Sequence, residues 1–129
     1  MRKPEDIENM DFEIKFYEGL LAKNKDFFQA LMALGDLYTK RGLFEKGLEV
    51  DRKLARMRPE DPYILYNLAC SYSLVNHIDK AYDVMKLAIE SGYDDFQHLQ
   101  HDQDLDNLRK DQRFCDYLAQ RKNPQEPQA

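Results

Sequence analysis

One arrangement of residues occurs twice in this chain, 34 positions apart. Leu31, Leu34, Gly35, Tyr38, Gly47 and Leu48 return as Leu65, Leu68, Ala69, Tyr72, Ala81 and Tyr82. A fixed period of this length constrains the fold more than any other feature, because each unit is one supersecondary element that buries its apolar face only by stacking on a neighbour. Each unit reads as two helices joined by a short turn. Its two small residues, Gly35 with Gly47 and Ala69 with Ala81, stand 12 positions apart and suit the close crossing of a helix pair. Because Ala81 already occupies the second of these positions, Gly47→Ala is expected to be tolerated.

Local signals mark out the elements. Ile7, Met10, Ile14, Tyr17 and Leu21 fall three and four apart, the stripe of an amphipathic helix, behind a loose lead-in of Met1 to Pro4. Asp26 is placed to N-cap a helix running to about Lys40, with Gly42 in the turn that follows. A third helix, from about Leu43 to Met57, stops at Pro59. Asp61-Pro62 is a second start signal. Asn76 takes the turn position of Gly42 one unit later, and Gly92 terminates a fifth helix that begins near Ile78. Beyond Gly92 the pattern fades. A short helix within Tyr93 to His101 and a turn capped by Asp102 or Asp104 are expected there. A last helix from about Asp111 to Lys122 is expected to bury Phe114, Tyr117 and Leu118 as a cap. The tail 123–129, with two prolines and two glutamines, is expected to be disordered.

Leu31, Leu34, Gly35, Tyr38, Gly42, Phe44, Gly47 and Pro59 in one unit, and Leu65, Leu68, Ala69, Tyr72, Ala81, Met85 and Ala88 in the next, resemble the tetratricopeptide repeat. The resemblance implies an all-α, right-handed helical-repeat solenoid of antiparallel helix pairs, with about seven or eight helices. It implies one domain over 1–122, made of an N-terminal half-unit at 5–25, full units at 28–61 and 62–95, and a cap at 96–122. Leu31 and Leu65 depart from the Trp common in the family, and Asp51 stands where the family has an aromatic residue. Residues 104–114 are similar to a cap found after such repeats in bacterial proteins. In the family the first helix of each pair lines a concave peptide-binding groove. That carries over to Gln29, Met32, Asp36 and Lys40 in one unit and to Tyr63, Tyr66, Cys70 and Ser73 in the next. Tyr66 is the expected centre. Alternatively, the aromatics pack on the C-terminal cap and the groove is closed. Asp36 stands where family members that clamp chaperone C-termini carry a carboxylate-binding residue, and it disfavours that ligand.

Charge and composition narrow the function classes. The net charge of −5 does not favour nucleic acid, whose phosphates need a basic face. The blocks 1–39, 40–58 and 59–129 carry −3, +4 and −6, so Arg52, Lys53, Arg56 and Arg58 form a basic patch or an ordinary solvated face. Met1 to Met10 is too charged for a signal segment, no apolar run reaches membrane-spanning length, and Cys70 and Cys115 read as reduced cytoplasmic thiols. His98, His101, Asp102 and Asp104 are the only cluster with metal-ligand chemistry, and helix capping explains its aspartates, so neither metal nor cofactor is expected. No phosphate loop or nucleophile elbow occurs. The expectation is a non-enzymatic module that binds a protein or peptide partner, monomeric or weakly homo-oligomeric. The alternative is a self-assembling subunit that stacks through its ends.

Overall fold

The computed structural model describes residues 3–122. The tail 123–129, expected to be disordered, lies outside the described residues. The described chain is all-α and contains no strand. Eight α-helices run in the order α1 (Pro4–Lys23), α2 (Phe28–Lys40), α3 (Phe44–Met57), α4 (Pro62–Leu74), α5 (Ile78–Glu90), α6 (Phe96–His101), α7 (Asp106–Arg109) and α8 (Gln112–Lys122). A 3-10 turn at Gln103–Leu105 separates α6 from α7. The chain forms two compact units, Met1–Pro59 and Glu60–Ala129.

The 34-residue period is written into the element boundaries. Helices α2 and α4 have 13 residues each and start at 28 and 62, while α3 and α5 start at 44 and 78. The turn inside each pair is made in the same way. Gly42 adopts φ +85° and Asn76 φ +64°, the left-handed region that ends a helix most cheaply on Gly or Asn. Leu43 N–H donates to the Tyr38 carbonyl at 2.8 Å, and His77 N–H to the Tyr72 carbonyl at 2.9 Å, so the last carbonyls of α2 and α4 are satisfied alike.

In the first unit, α1 packs on α2 and α2 on α3. Met10 and Ile14 bury one side of α1, while Leu31, Leu34 and Tyr38 of α2 meet Leu48, Val50 and Leu54 of α3 in the core. Arg41 reaches Asp11 at 2.8 Å, and the Tyr38 hydroxyl donates to Glu18 at 2.5 Å, which pins both halves of α1. Pro4 belongs to α1 and not to a loose lead-in, since a proline fits the first helical turn, where its missing N–H has no partner to lose. The expected Asp26 cap is not formed. Phe27 is the N-cap of α2 without a side-chain bond, because Asp26 donates its N–H to Asn24 Oδ1 at 3.2 Å and turns its carboxylate toward Lys53. Of the expected basic patch, Lys53 also donates to the Lys25 carbonyl at 2.6 Å and Arg58 lies 4.0 Å from the Phe28 ring centroid.

In the second unit, α4 is buried on almost every side, from Ile64 round to Ser73. One side packs on α5, and another on the 3-10 turn and α7. Asp61 caps α4 by accepting from the Tyr63 and Ile64 N–H groups at 2.9 and 3.2 Å. Asp95 does the same for α6 one period later, accepting from His98 N–H at 3.1 Å. Helix α6 thus starts like α4, but after six residues Asp102 accepts the Asp104 N–H at 3.0 Å and turns the chain into the 3-10 turn. Leu99, Leu105, Leu108 and Phe114 are fully buried, so the C-terminal segment forms the core of its unit as much as α5 does. Tyr117 does not join this core as expected. Its half-exposed ring stands edge-on to Tyr82, with the Lys86 and Arg121 cations over its face.

Candidate interaction surface

The first helix of each pair carries the candidate residues, and the two helices present them differently. On α2, Gln29, Met32, Asp36 and Lys40 follow at steps of three, four and four, which places them on one stripe. All four are exposed, Met32 at 42%. Asp36 and Lys40 pair with each other at 2.9 Å across one helical turn, both in contact with solvent. Such a pair adds little stability but leaves a donor and an acceptor available at the surface. The stripe therefore offers an unbranched, adaptable thioether flanked by one acid and one base.

On α4 the corresponding surface is covered from within its own unit. Tyr63 remains exposed, with its ring edge-on to Tyr93 at 5.7 Å. Tyr66 is only 5% exposed. Its ring stacks on Tyr93 with centroids 4.3 Å apart and planes at 11°, and its hydroxyl donates to Asp102 Oδ2 at 2.6 Å. Cys70 is buried with its sulfur 3.9 Å from the same carboxylate oxygen. Ser73 is fully buried; its Oγ accepts the Leu108 N–H at 3.1 Å, and its carbonyl accepts from Asn107 Nδ2 at 3.0 Å. Of the two expectations, a groove open at Tyr66 or one closed by the C-terminal cap, the α4 face shows the second: residues 93–108 of the same chain lie against Tyr66, Cys70 and Ser73. The cause is a set of long-range polar bonds around a stack of aromatic rings.

Asp102 organises this covering. Its Oδ2 takes the Tyr66 hydroxyl, and His98 Nε2 lies 3.2 Å from the same atom, an ion pair whenever the imidazole is protonated. Burial, then the neighbouring Cys70 and the hydrogen bond to Asp102, push the Tyr66 phenol far above its ordinary range. Burial pushes Tyr93 up to about 12. Both phenols are thus held neutral, as stacked, hydrogen-bonded parts of a clasp. His101 turns its Nδ1 to the Gln97 carbonyl oxygen at 2.9 Å and does not converge with His98. Among the described residues no group of three or more His, Cys, Asp or Glu is arranged to hold a metal ion. No described helix is long and apolar enough to cross a membrane. The repeat pattern does not expose the clasp roles of Tyr93 and Asp102, although Tyr93 follows the helix-ending Gly92 directly, where a residue often folds back on the helix it has left.

A relative shares most of this chain. The chain is similar to a chloroplastic protein of Arabidopsis thaliana. The two are 31% identical over 110 residues, which is 83% of this chain but 31% of the plant protein. The chain thus spans under a third of the length of that relative. No protein-family model matches the chain.

Proposed function

We propose that this chain is a tetratricopeptide-like module of stacked helix pairs that binds a peptide or helix of another protein and makes or breaks no bond. The observation that carries the reading is the contrast between Met32 and Tyr66, which occupy the same place in the repeat. At Tyr66 the chain lays a helical segment of its own against the first helix of the pair, and at Met32 the side chain is open. The filled site serves as a template for the open one: an apolar contact at the centre, with a polar partner one turn away. Asp36 and Lys40 supply that partner on α2, and they suit a segment carrying both charges better than a purely acidic tail. The equal lengths of α2 and α4 and the matching turns at Gly42 and Asn76 support the repeat assignment, as do the Asp caps that α4 and α6 have in common. The compartment we propose is the cytoplasm; the chloroplastic relative points to the plastid as the alternative, and fractionation of the native cell separates the two.

The test is site-specific photo-cross-linking in the native cell. A photoreactive residue at position 32 is expected to capture a defined partner, while one at the exposed Arg56 captures none of it. Equal capture at both positions, or none at position 32, rejects the α2 surface as the working site.

A further inference from the structure

The outer side of α1 carries two large apolar side chains that stay largely exposed, Phe16 touching only the edge of the neighbouring Tyr17 ring among the aromatic rings. Phe12 is 73% exposed and Phe16 54%, directly opposite the side that Met10 and Ile14 bury against α2. Gly19, one turn further on, has open space where a Cβ would stand. Glu5, Asn9, Phe12, Phe16, Gly19 and Lys23 succeed one another at steps of four, three, four, three and four. That is the spacing of a two-helix coiled-coil seam, apolar only at its centre and with opposite charges at its two ends.

We propose that this seam pairs two copies of the chain through antiparallel α1 helices. The occupant follows from the order of the side chains. With the two-fold axis beside Ile14, Phe12 of each copy meets Phe16 of the other, Asn9 meets Gly19, and Glu5 meets Lys23 at both ends. A parallel arrangement would instead set Glu5 on Glu5 and Lys23 on Lys23. Antiparallel pairing also sets each helix N-terminus beside the C-terminus of the other, which the helix dipoles favour. Glu13 and Lys15 flank the axis on opposite sides of the seam, and each approaches its own counterpart in the other copy, which keeps the association weak and concentration-dependent. The proposal uses a different surface from the α2 stripe and stands or falls apart from it.

Sedimentation velocity of the full chain over a wide concentration range tests it. Wild type is expected to show a monomer–dimer equilibrium. Phe12→Ser with Phe16→Ser is expected to weaken it by about tenfold or more, with the helical circular-dichroism signal and melting temperature retained. Glu5→Lys alone is expected to weaken it by roughly two- to fivefold, and adding Lys23→Glu restores it, since the end pairs are then re-formed with their signs exchanged. A strictly monomeric wild type overturns the proposal, as does a dimer indifferent to Phe12 and Phe16. Glu5→Lys without effect on the dimer overturns the antiparallel pairing. A monomer whose Phe12 and Phe16 are needed to hold a foreign protein assigns the seam to that protein instead.

Discussion

Met32 and Tyr66 occupy the same turn of two helices of equal length, and their surroundings are opposite. Around Tyr66 the chain has supplied its own occupant: Tyr93 stacks on the ring and Asp102 takes the hydroxyl. Met32 is exposed, with an ion pair beginning one turn away. The comparison shows how one helix face serves either as core or as surface. A tyrosine buries a large ring and still satisfies its hydroxyl when an acceptor arrives. Met32, Asp36 and Lys40 instead keep flexible or charged groups that are cheapest to leave solvated. A tethered occupant also has a high effective concentration, so the α4 face stays filled, whereas the partner proposed for α2 would have to bind from solution.

The largest effect that would break this comparison lies in the tethered segment. Phe114 is fully buried, and Phe114→Ala should cost about 3–5 kcal/mol, enough to open the second unit on its own. Urea denaturation read by near-ultraviolet tyrosine signals checks it. A loss under about 1 kcal/mol, far below the usual cost of such a truncation, would mean that the C-terminal segment is a loose cover and that the α4 face is available to partners after all.

The clasp comes next. Tyr66→Phe removes a hydrogen bond to a carboxylate and should cost about 1.5–3 kcal/mol at neutral pH. Both clasp phenols have folded-state pKa values raised above the ordinary 10, Tyr66 by burial first and Tyr93 to about 12. The native state therefore binds protons more tightly than the unfolded chain in this range. The contribution is present in full below pH 10 and is lost as pH rises from there through about 12. Alkaline melting curves of wild type should fall across that window, and those of Tyr66→Phe should fall less. Parallel curves would place the ionisation outside the clasp. Tyr66→Ala, which an open groove would tolerate structurally, is now expected to destabilise the unit.

A smaller effect sharpens the comparison of the two pairs themselves. A Cβ on Gly47 would lie 2.9 Å from Thr39 Oγ1 and 3.7 Å from the Gly35 carbonyl oxygen. The second unit has Ser73 and Ala81 at the matching positions. Gly47→Ala gains ~1 kcal/mol of helix propensity but crowds the branched Thr39 by about 1–3 kcal/mol, so it should be mildly destabilising instead of tolerated. Thr39→Ser in the same chain should recover the loss, because a serine hydroxyl can rotate away without bringing in a methyl group. Thermal melts of the single and double variants decide it, and equal melting of all three would mean the crossing is slacker than the distances indicate.

What the sequence makes legible divides along the range of the forces. Helix boundaries, the left-handed Asn76 and the Asp61 cap depend on residues within a turn of each other, and periodicity exposes them directly. The Asp26 cap fails although it is equally local, because Asn24 competes for the same stretch of backbone. The clasp joins Tyr66 to Asp102 across 36 positions; the sequence offers it only in outline, as the alternative in which the aromatics pack on the C-terminal cap, and names neither Tyr93 nor Asp102 as a partner of Tyr66. One period after α4 the frame forecasts another first helix, and α6 begins as one, with Asp95 in the place of Asp61. Its early stop at Asp102 is decided by contacts with α4 that no single segment encodes. The candidate residues on α2 are exposed as expected, whereas three of the four on α4, Tyr66, Cys70 and Ser73, form core in place of surface.

Met32 supplies the smallest effect on stability and the sharpest on function. With its side chain 42% exposed, Met32→Ala should change the unfolding free energy by no more than ~0.5 kcal/mol, the usual range for surface sites. Truncating an anchor at the centre of an interface commonly weakens binding by about tenfold or more. Titration of the purified chain with whichever partner the position-32 cross-link identifies should therefore show at least that loss for Met32→Ala, with melting unchanged. Asp36→Lys sets the sign of the partner's charge: it should weaken a basic segment and strengthen an acidic one. If Met32→Ala binds like wild type while melting lower, then Met32 is packing, as Tyr66 is, and the two faces are alike.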